Sequence, residues 1–197
     1  LVRGVYDMTP SMMAGEWPRQ GHAFGHELLG KTLGLVGLGS IARQVAVRAA
    51  VFGMGLIAFD PLLPEDDAAR GTVGRVDLET LLCTSDVVSL PVPLGEGTRN
   101  LIDAAALTSM KPTAVLVNTS RGGIVDETAL ATALRSGSIA GAALDVFFTE
   151  PLGPGPAATF AGVPNLLLTP HLAGNTEEAV HRVAGMIITA VEEALDV

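Results

Sequence analysis

The sequence predicts an α/β protein whose core is a doubly wound parallel sheet with helices on both faces. Three observations predict it. Apolar runs of strand length alternate with helical patterns from about residue 33 to the end of the chain. The runs are continuously apolar rather than alternating, as in strands buried on both faces. The first run leads into a glycine turn and a helix, through Thr32-Leu33-Gly34-Leu35-Val36-Gly37-Leu38-Gly39-Ser40-Ile41-Ala42. The length of 197 residues suggests one domain, or one and a small part of another.

Taken in order, residues 1–13 read as the end of a helix that began earlier, with Pro10 as its stop or kink. Residues 14–31 read as a polar, Gly-containing linker in which Trp17 covers apolar surface. His22 and His26 are four apart, but Gly21 and Gly25 oppose a helix there, so no metal site is expected. The spacing then predicts a strand at 33–36, a helix at 41–52, a strand at 56–59, a loop at 61–70 and a short strand at 73–76. A helix follows at 78–83, capped by Asp77, then a strand at 87–90 and a helix at 104–110. Residues 114–117 read as a buried strand and 126–136 as a helix stopped by Gly137. A strand at 139–144, a Pro/Gly-rich loop at 149–164 and a last strand at 166–168 complete the sheet. The chain closes with a long amphipathic helix over 176–194, with Ala179, Val183, Met186 and Ile187 on one face.

Composition narrows the function. Hydrophobic residues make up 48% of the chain, which suits a packed core and not a disordered segment. The formal net charge of −9 argues against a general nucleic-acid binder. Cys83 is the only cysteine, so an internal disulfide and a thiolate metal cluster are excluded, and it reads as a small hydrophobe near a helix end. No apolar run approaches a membrane span and no signal peptide is visible, so a cytoplasmic protein with no membrane partner is expected. The first residue is Leu1, not Met, and the chain reads as a fragment, a processed product or an engineered one.

The strand–turn–helix stretch is the context a dinucleotide fingerprint requires. Gly37 permits the tight turn, Gly39 lets the backbone approach a pyrophosphate, and Ala42 lets helix and strand pack closely. Free N–H groups at the helix start, around Ser40 and Ile41, together with the helix dipole, favour phosphate charge. Asp60 ends the next strand about 20 residues on, where an acid can bind a ribose 2′-OH. The same residues also fit an ordinary strand–helix turn followed by a solvated Asp60-Pro61 turn.

In a doubly wound sheet, ligands sit beyond the carboxyl ends of the strands. There the sequence places Asn118-Thr119-Ser120-Arg121-Gly122-Gly123, Asp145 with Glu150, and Thr169-Pro170-His171. Reducing a ketone beside a nicotinamide needs a cation for a carboxylate, a proton donor, and a partner to orient that donor. Arg121 supplies a planar fork. His171 can give and recover a proton near neutral pH. Glu150 can hold the imidazole and favour its charged form. Singly, each has a plainer reading: Arg121 as a turn cap or a partner of Asp126, Glu150 as a loop acid, His171 as a structural histidine. His181, inside the last helix, is read as structural.

With these residues in place the chain resembles the NAD-binding domain of the D-isomer-specific 2-hydroxyacid dehydrogenases, a Rossmann NAD(P)-binding fold, from about residue 30 onward. The motifs are Gly-Lys-Thr-Leu-Gly-Leu-Val-Gly-Leu-Gly at 30–39, Val-Asn-Thr-Ser-Arg-Gly-Gly-Ile-Val-Asp-Glu at 117–127, Ala-Leu-Asp-Val-Phe-x-x-Glu-Pro at 143–151 and Thr-Pro-His-Leu-Ala-Gly-Asn-Thr at 169–176. The resemblance implies an NAD(H)-dependent interconversion of a small D-2-hydroxy acid and its 2-keto acid. It implies that Arg121 binds the substrate carboxylate and carbonyl, that Glu150 and His171 form the acid/base pair, and that Asp145 holds the nicotinamide carboxamide with Thr119 nearby. Asp60 implies NAD over NADP. It also implies a homodimer formed through this domain, with the 149–164 loop contributing.

Two departures stand out. Where the family often has His–x–Pro–x–Thr, this chain has Pro91-Val92-Pro93-Leu94-Gly95, although Pro93 and Thr98 still fit a cofactor-binding loop. The family's substrate domain is largely missing. Residues 1–16 correspond to the end of an interdomain helix, 17–175 to the NAD-binding domain and 176–197 to the helix returning toward the other domain. Two alternatives stay open: a non-catalytic NAD(H)-sensing or dimerisation module, as in corepressors of this fold, and an inactive truncated product. Formate dehydrogenase fits less well, because that group has Gln where Glu150 stands.

Overall fold

A computed structural model describes residues 1–3, 8–17, 25–64 and 71–195. Its elements are α1 (Met8–Met13), β1 (Thr32–Val36), α2 (Ser40–Val51), β2 (Gly55–Phe59), β3 (Gly74–Arg75), α3 (Leu78–Thr84), β4 (Val87–Ser89), α4 (Ala104–Ser109), β5 (Val115–Asn118), α5 (Glu127–Ser136), β6 (Gly141–Leu144), α6 (Pro154–Ala157), β7 (Leu166–Leu168) and α7 (Glu177–Leu195). Short 3-10 turns lie at Glu96–Thr98 and Ala158–Phe160.

The seven strands form one parallel sheet in the order β3-β2-β1-β4-β5-β6-β7. The chain winds outward from β1 to β3, then returns to lay β4 on the other side of β1. That reversal opens a crevice between the carboxyl ends of β1 and β4, the place where such sheets bind ligands. Register keeps the strand ends level: Val36 pairs with Phe59 and Leu35 with Ser89.

Both faces of the sheet are covered. Leu33 and Leu35 pack with Ala42, Ala46 and Ala49 of α2, whose buried stripe is entirely alanine and so allows close approach. Val36, Val88 and Leu116 join Leu81, Leu107 and Leu130 of α3, α4 and α5 in the larger cluster. Asp77 caps α3 as expected, and Asp126, read from the sequence as the first helical residue, is the cap of α5. Asp77 accepts the Thr80 N–H at 2.6 Å, and Asp126 accepts the Thr128 and Ala129 N–H groups at 3.0 and 2.9 Å. Helix α5 stops at Gly137 as expected.

Several expectations are corrected. Pro10 does not end α1; the helix runs on to Met13, and the Pro10 carbonyl accepts the Ala14 N–H at 3.0 Å. A proline lacks only its own donor, so it is tolerated near a helix start. Trp17 is 70% exposed, and Cys83 is exposed rather than packed. The 149–164 segment is not a plain loop. It contains α6, with Pro154 in its first turn, and a 3-10 turn ending in buried Phe160, which meets Phe147 edge-on at 6.0 Å between ring centroids. His22 and residues 65–70 of the predicted 61–70 loop lie outside the described residues, and His26 is exposed. The apolar face of α7 exists as predicted, but no residue of that helix is buried: Val183, Met186 and Ile187 all face outward. Among the described residues no helix is long and apolar enough to cross a membrane, and no group of three His, Cys, Asp or Glu could hold a metal ion.

Candidate active site

The site lies along the carboxyl edge of the sheet and has two halves. The first is the glycine turn. Gly37 has φ +92°, which an L side chain resists, and a Cβ there would lie 3.0 Å from the Pro91 carbonyl oxygen. So the turn after β1 lies directly against the loop after β4, at the crevice. Gly39 is the N-cap of α2, offers no side-chain cap, and has open space where a Cβ would be. The first N–H groups of a helix have no intrahelical acceptor, so those of Ser40 and Ile41 are available to an anion. Asp60, at the end of β2, ties the turn down: Oδ2 accepts the Leu38 N–H at 2.9 Å and Oδ1 the Leu62 N–H at 3.0 Å. Thr98 closes the neighbouring loop, donating to the Pro93 carbonyl at 2.7 Å and accepting the Gly95 N–H at 2.8 Å. An uncapped helix N-terminus, a glycine with free space before it and an acid at the next strand end fit a dinucleotide.

The second half gathers His171, Glu150 and Arg121. His171 Nδ1 lies 2.8 Å from Glu150 Oε2. The His171 ring nitrogen, and then the Phe147 N–H at 2.8 Å, hold the Glu150 carboxyl below its ordinary value, with Arg121 adding to the effect. An ionised Glu150 makes Nδ1 the donor and leaves Nε2 free on the other side of the ring. Arg121 is exposed and donates from Nη1 to the Ser120 carbonyl at 2.6 Å, while Asp126 is occupied as a helix cap. Ser120 Oγ donates to the Val92 carbonyl at 3.0 Å, joining the Arg121 loop to the crevice. Exposed Thr119 stands at the end of β5 between the two halves. A cavity of about 700 Å³ opens beside Glu150 and His171, walled by Phe147, Leu152, Leu168 and Pro170.

Asp145 organises the turn that carries the histidine. It is buried, and its oxygens accept the Thr169 hydroxyl, the Leu172 N–H at 2.9 Å and the Ala173 N–H at 2.8 Å. Its main-chain carbonyl accepts the His171 N–H at 2.8 Å. His171 itself has φ +55°, an unfavourable conformation for a non-glycine residue that this web of bonds enforces. Burial alone would raise the Asp145 carboxyl, but the Thr169, Ala173 and Leu172 donors and His171 outweigh it, so the net shift is downward. A lowered carboxyl stabilises the fold above the ordinary carboxylate range, and that stabilisation is lost as pH falls through the lowered value. Asp145→Ala is therefore expected to cost about 2–4 kcal/mol by stranding three donors, and to flatten the acid limb of a stability–pH profile measured by urea unfolding.

Two residues of the site carried no assigned role in the sequence reading. Asn118 is buried; its Nδ2 donates to the Arg121 carbonyl at 3.0 Å and its Oδ1 accepts the Ser120 N–H at 3.1 Å, shaping the arginine loop. Its position at a strand's carboxyl end was the available signal. Glu127 accepts the Phe148 N–H at 2.6 Å, a bond across 21 residues for which the sequence carries no signal.

Fold and site together define a dinucleotide-binding domain with a hydrogen-bonded His–Glu pair at its edge. The family model "D-isomer specific 2-hydroxyacid dehydrogenase, NAD binding domain" matches residues 1–173. The chain belongs to that family, as its NAD-binding domain, and the cofactor is NAD. An (S)-sulfolactate dehydrogenase of Chromohalobacter salexigens is 53% identical over 198 residues, covering 100% of this chain. The chain spans only 63% of that relative's length. Among solved structures, a glyoxylate reductase from Paecilomyes thermophila superposes with a TM-score of 0.85 at 36% identity, over 98% of this chain and 57% of that one. A D-lactate dehydrogenase from Aquifex aeolicus, complexed with NAD and lactic acid, does so with a TM-score of 0.87 at 28% identity, over 100% and 62%.

Proposed function

We propose that this domain serves an NAD(H)-dependent oxidoreductase that interconverts a small D-2-hydroxy acid and its 2-keto acid. The observation that carries the reading is the 2.8 Å contact between His171 and Glu150 at the same sheet edge as the glycine turn. Bound NADH supplies the hydride. The chain's own residues do the rest: Arg121 clamps the substrate carboxylate and polarises the carbonyl, and His171 gives the nascent alkoxide its proton from Nε2. Glu150 keeps Nδ1 protonated and the ring oriented. In the oxidising direction His171 takes the proton back.

On the cofactor side, Gly37, Gly39, Ser40 and Ile41 cradle the pyrophosphate, and Asp60 takes the adenine ribose. Pro93, Thr98 and Thr119 line the crevice, while Asp145 meets the nicotinamide carboxamide. The same reading includes a homodimer formed through this domain, a cytoplasmic location, and no nucleic-acid or membrane partner. It assigns residues 17–175 to the NAD-binding domain, and residues 1–16 and 176–197 to the connections with a substrate domain. The outward apolar face of α7 and the 63% coverage of the sulfolactate dehydrogenase support that division.

Fluorescence titration with NADH, and separately with NADPH, tests the cofactor side. The Asp60 carboxylate repels a 2′-phosphate, so NADH binds more tightly, and Asp60→Ala narrows the preference by at least about 10-fold, roughly 1.4 kcal/mol. A wild-type preference for NADPH overturns the role of Asp60. Turnover of D- but not L-2-hydroxy acids by the intact protein tests the reaction.

A further inference from the structure

Glu127 is the first residue of α5, directly after the capping Asp126. Its side chain does not serve its own helix. Oε1 accepts the N–H of Phe148, in the turn that leads from β6 to Glu150. The preceding amide, Phe147 N–H, goes to Glu150 Oε1. Two consecutive amides of one turn are thus each bound by a carboxylate: Glu150 from within the turn, Glu127 from outside it. Glu150 then spends its other oxygen on His171.

The same turn is pressed from a second side. Gly122, next to Arg121, approaches the Phe147 carbonyl so closely that a Cβ there would sit 1.8 Å from its oxygen. The segment 121–127 therefore grips the 147–148 backbone at two points, through the Gly122 contact and the Glu127 hydrogen bond. Arg121 and Glu150 hang from the two gripped segments. Glu127 is also costly to keep there. It is half-buried, Asp126 and Glu150 are its acidic neighbours, and among the described residues no cation pairs with it. Burial, and then those two charges, push its carboxyl up despite the Phe148 bond. An acid held at a loss beside a reactive pair points to a role in that pair.

We propose that Glu127 is a positioning residue for the acid/base pair: by holding the Phe148 amide it fixes the turn from which Glu150 reaches His171. The inference rests on the acid/base reading of Glu150 and His171.

The test follows the Glu150 carboxyl by 13C NMR titration in the intact protein, beside steady-state kinetics. Wild-type Glu150 is expected to titrate below its ordinary value, because His171 and the Phe147 N–H hold it down. Glu127→Ala removes the acceptor, and Glu127→Asp keeps the charge but shortens the reach. Both should return the Glu150 midpoint toward its ordinary value and lower kcat by about 10-fold or more, with KM for NADH unchanged. Glu127→Gln keeps an acceptor of the same length and should stay close to wild type in both readouts. If Glu127→Ala does not fold, the contrast between Asp and Gln decides. Wild-type behaviour of Glu127→Asp, or damage by Gln equal to that by Asp, overturns the proposal. His171→Ala separates this from the parent reading. If Glu150 does not move in His171→Ala, the acid/base pairing itself fails. If it moves there but not in Glu127→Asp, only the role of Glu127 fails.

Discussion

Replacing His171 by alanine is expected to lower kcat by about 10²–10⁴-fold, the usual worth of a positioned proton donor, while NADH affinity stays near wild type. The imidazole lies 2.8 Å from Glu150, on the turn after β7, whereas the glycine turn follows β1, on the other side of the crevice. The substitution therefore removes the proton path and leaves the phosphate cradle whole. Glu150→Gln should give a smaller loss with a distinctive pH signature. Glu150 is held below its ordinary value by His171, so in the wild type the pair is intact above that lowered value and is lost as pH falls through it. An amide does not titrate there, so the acid limb that Glu150 contributes to the pH–rate profile should vanish in Glu150→Gln. Steady-state rates against pH, with NADH binding measured in parallel, check both expectations. Loss of NADH binding in His171→Ala would contradict the separation of the two halves.

The architecture was legible because its signals are local. Continuous apolar runs, the Asp77 cap before α3, and Gly137 after α5 each act within a few residues of where they stand. The gathering of three polar side chains at one edge was legible for a topological reason. In a parallel sheet every strand's carboxyl end reaches one edge, so Arg121, Glu150 and His171 could be placed together from their positions after β5, β6 and β7. What stayed hidden depends on partners distant in sequence. Glu127 bonds an amide 21 residues away, and the left-handed conformation of His171 is imposed by Asp145 across 26 positions of chain. Nothing in a Glu at a helix start or a His after a proline encodes either. The α7 face was read correctly as apolar, but periodicity says which side of a helix is greasy, not what stands opposite. Trp17 misled for a related reason: hydrophobicity favours burial but does not compel it, and large apolar side chains are routinely left exposed.

Gly122→Ala is expected to be the most damaging Gly→Ala substitution among the described glycines. A Cβ there would lie 1.8 Å from the Phe147 carbonyl oxygen, 2.0 Å from its carbon and 2.5 Å from the Phe148 nitrogen. That is about 1.5 Å short of even a close carbon–oxygen contact. All three atoms are backbone, so no rotamer change can relieve the overlap. One of the two segments must move, and each is pinned: 121–123 by the Asn118 bonds to Arg121 and Ser120, and 147–148 by Glu150 and Glu127. Overpacking of this kind costs about 3 kcal/mol or more, which in a domain of this size lowers Tm by roughly 6–12 °C. Gly153→Ala, where a Cβ meets nothing within 4 Å, is the control and should leave Tm nearly unchanged. The kinetic effect should exceed what stability alone implies. Parting the two segments moves Arg121 away from Glu150 and His171, and a 1 Å misplacement in such a site costs about 10²-fold in rate. A folded Gly122→Ala protein with wild-type kcat would mean that the approach of these two segments does not set the geometry of the reacting groups.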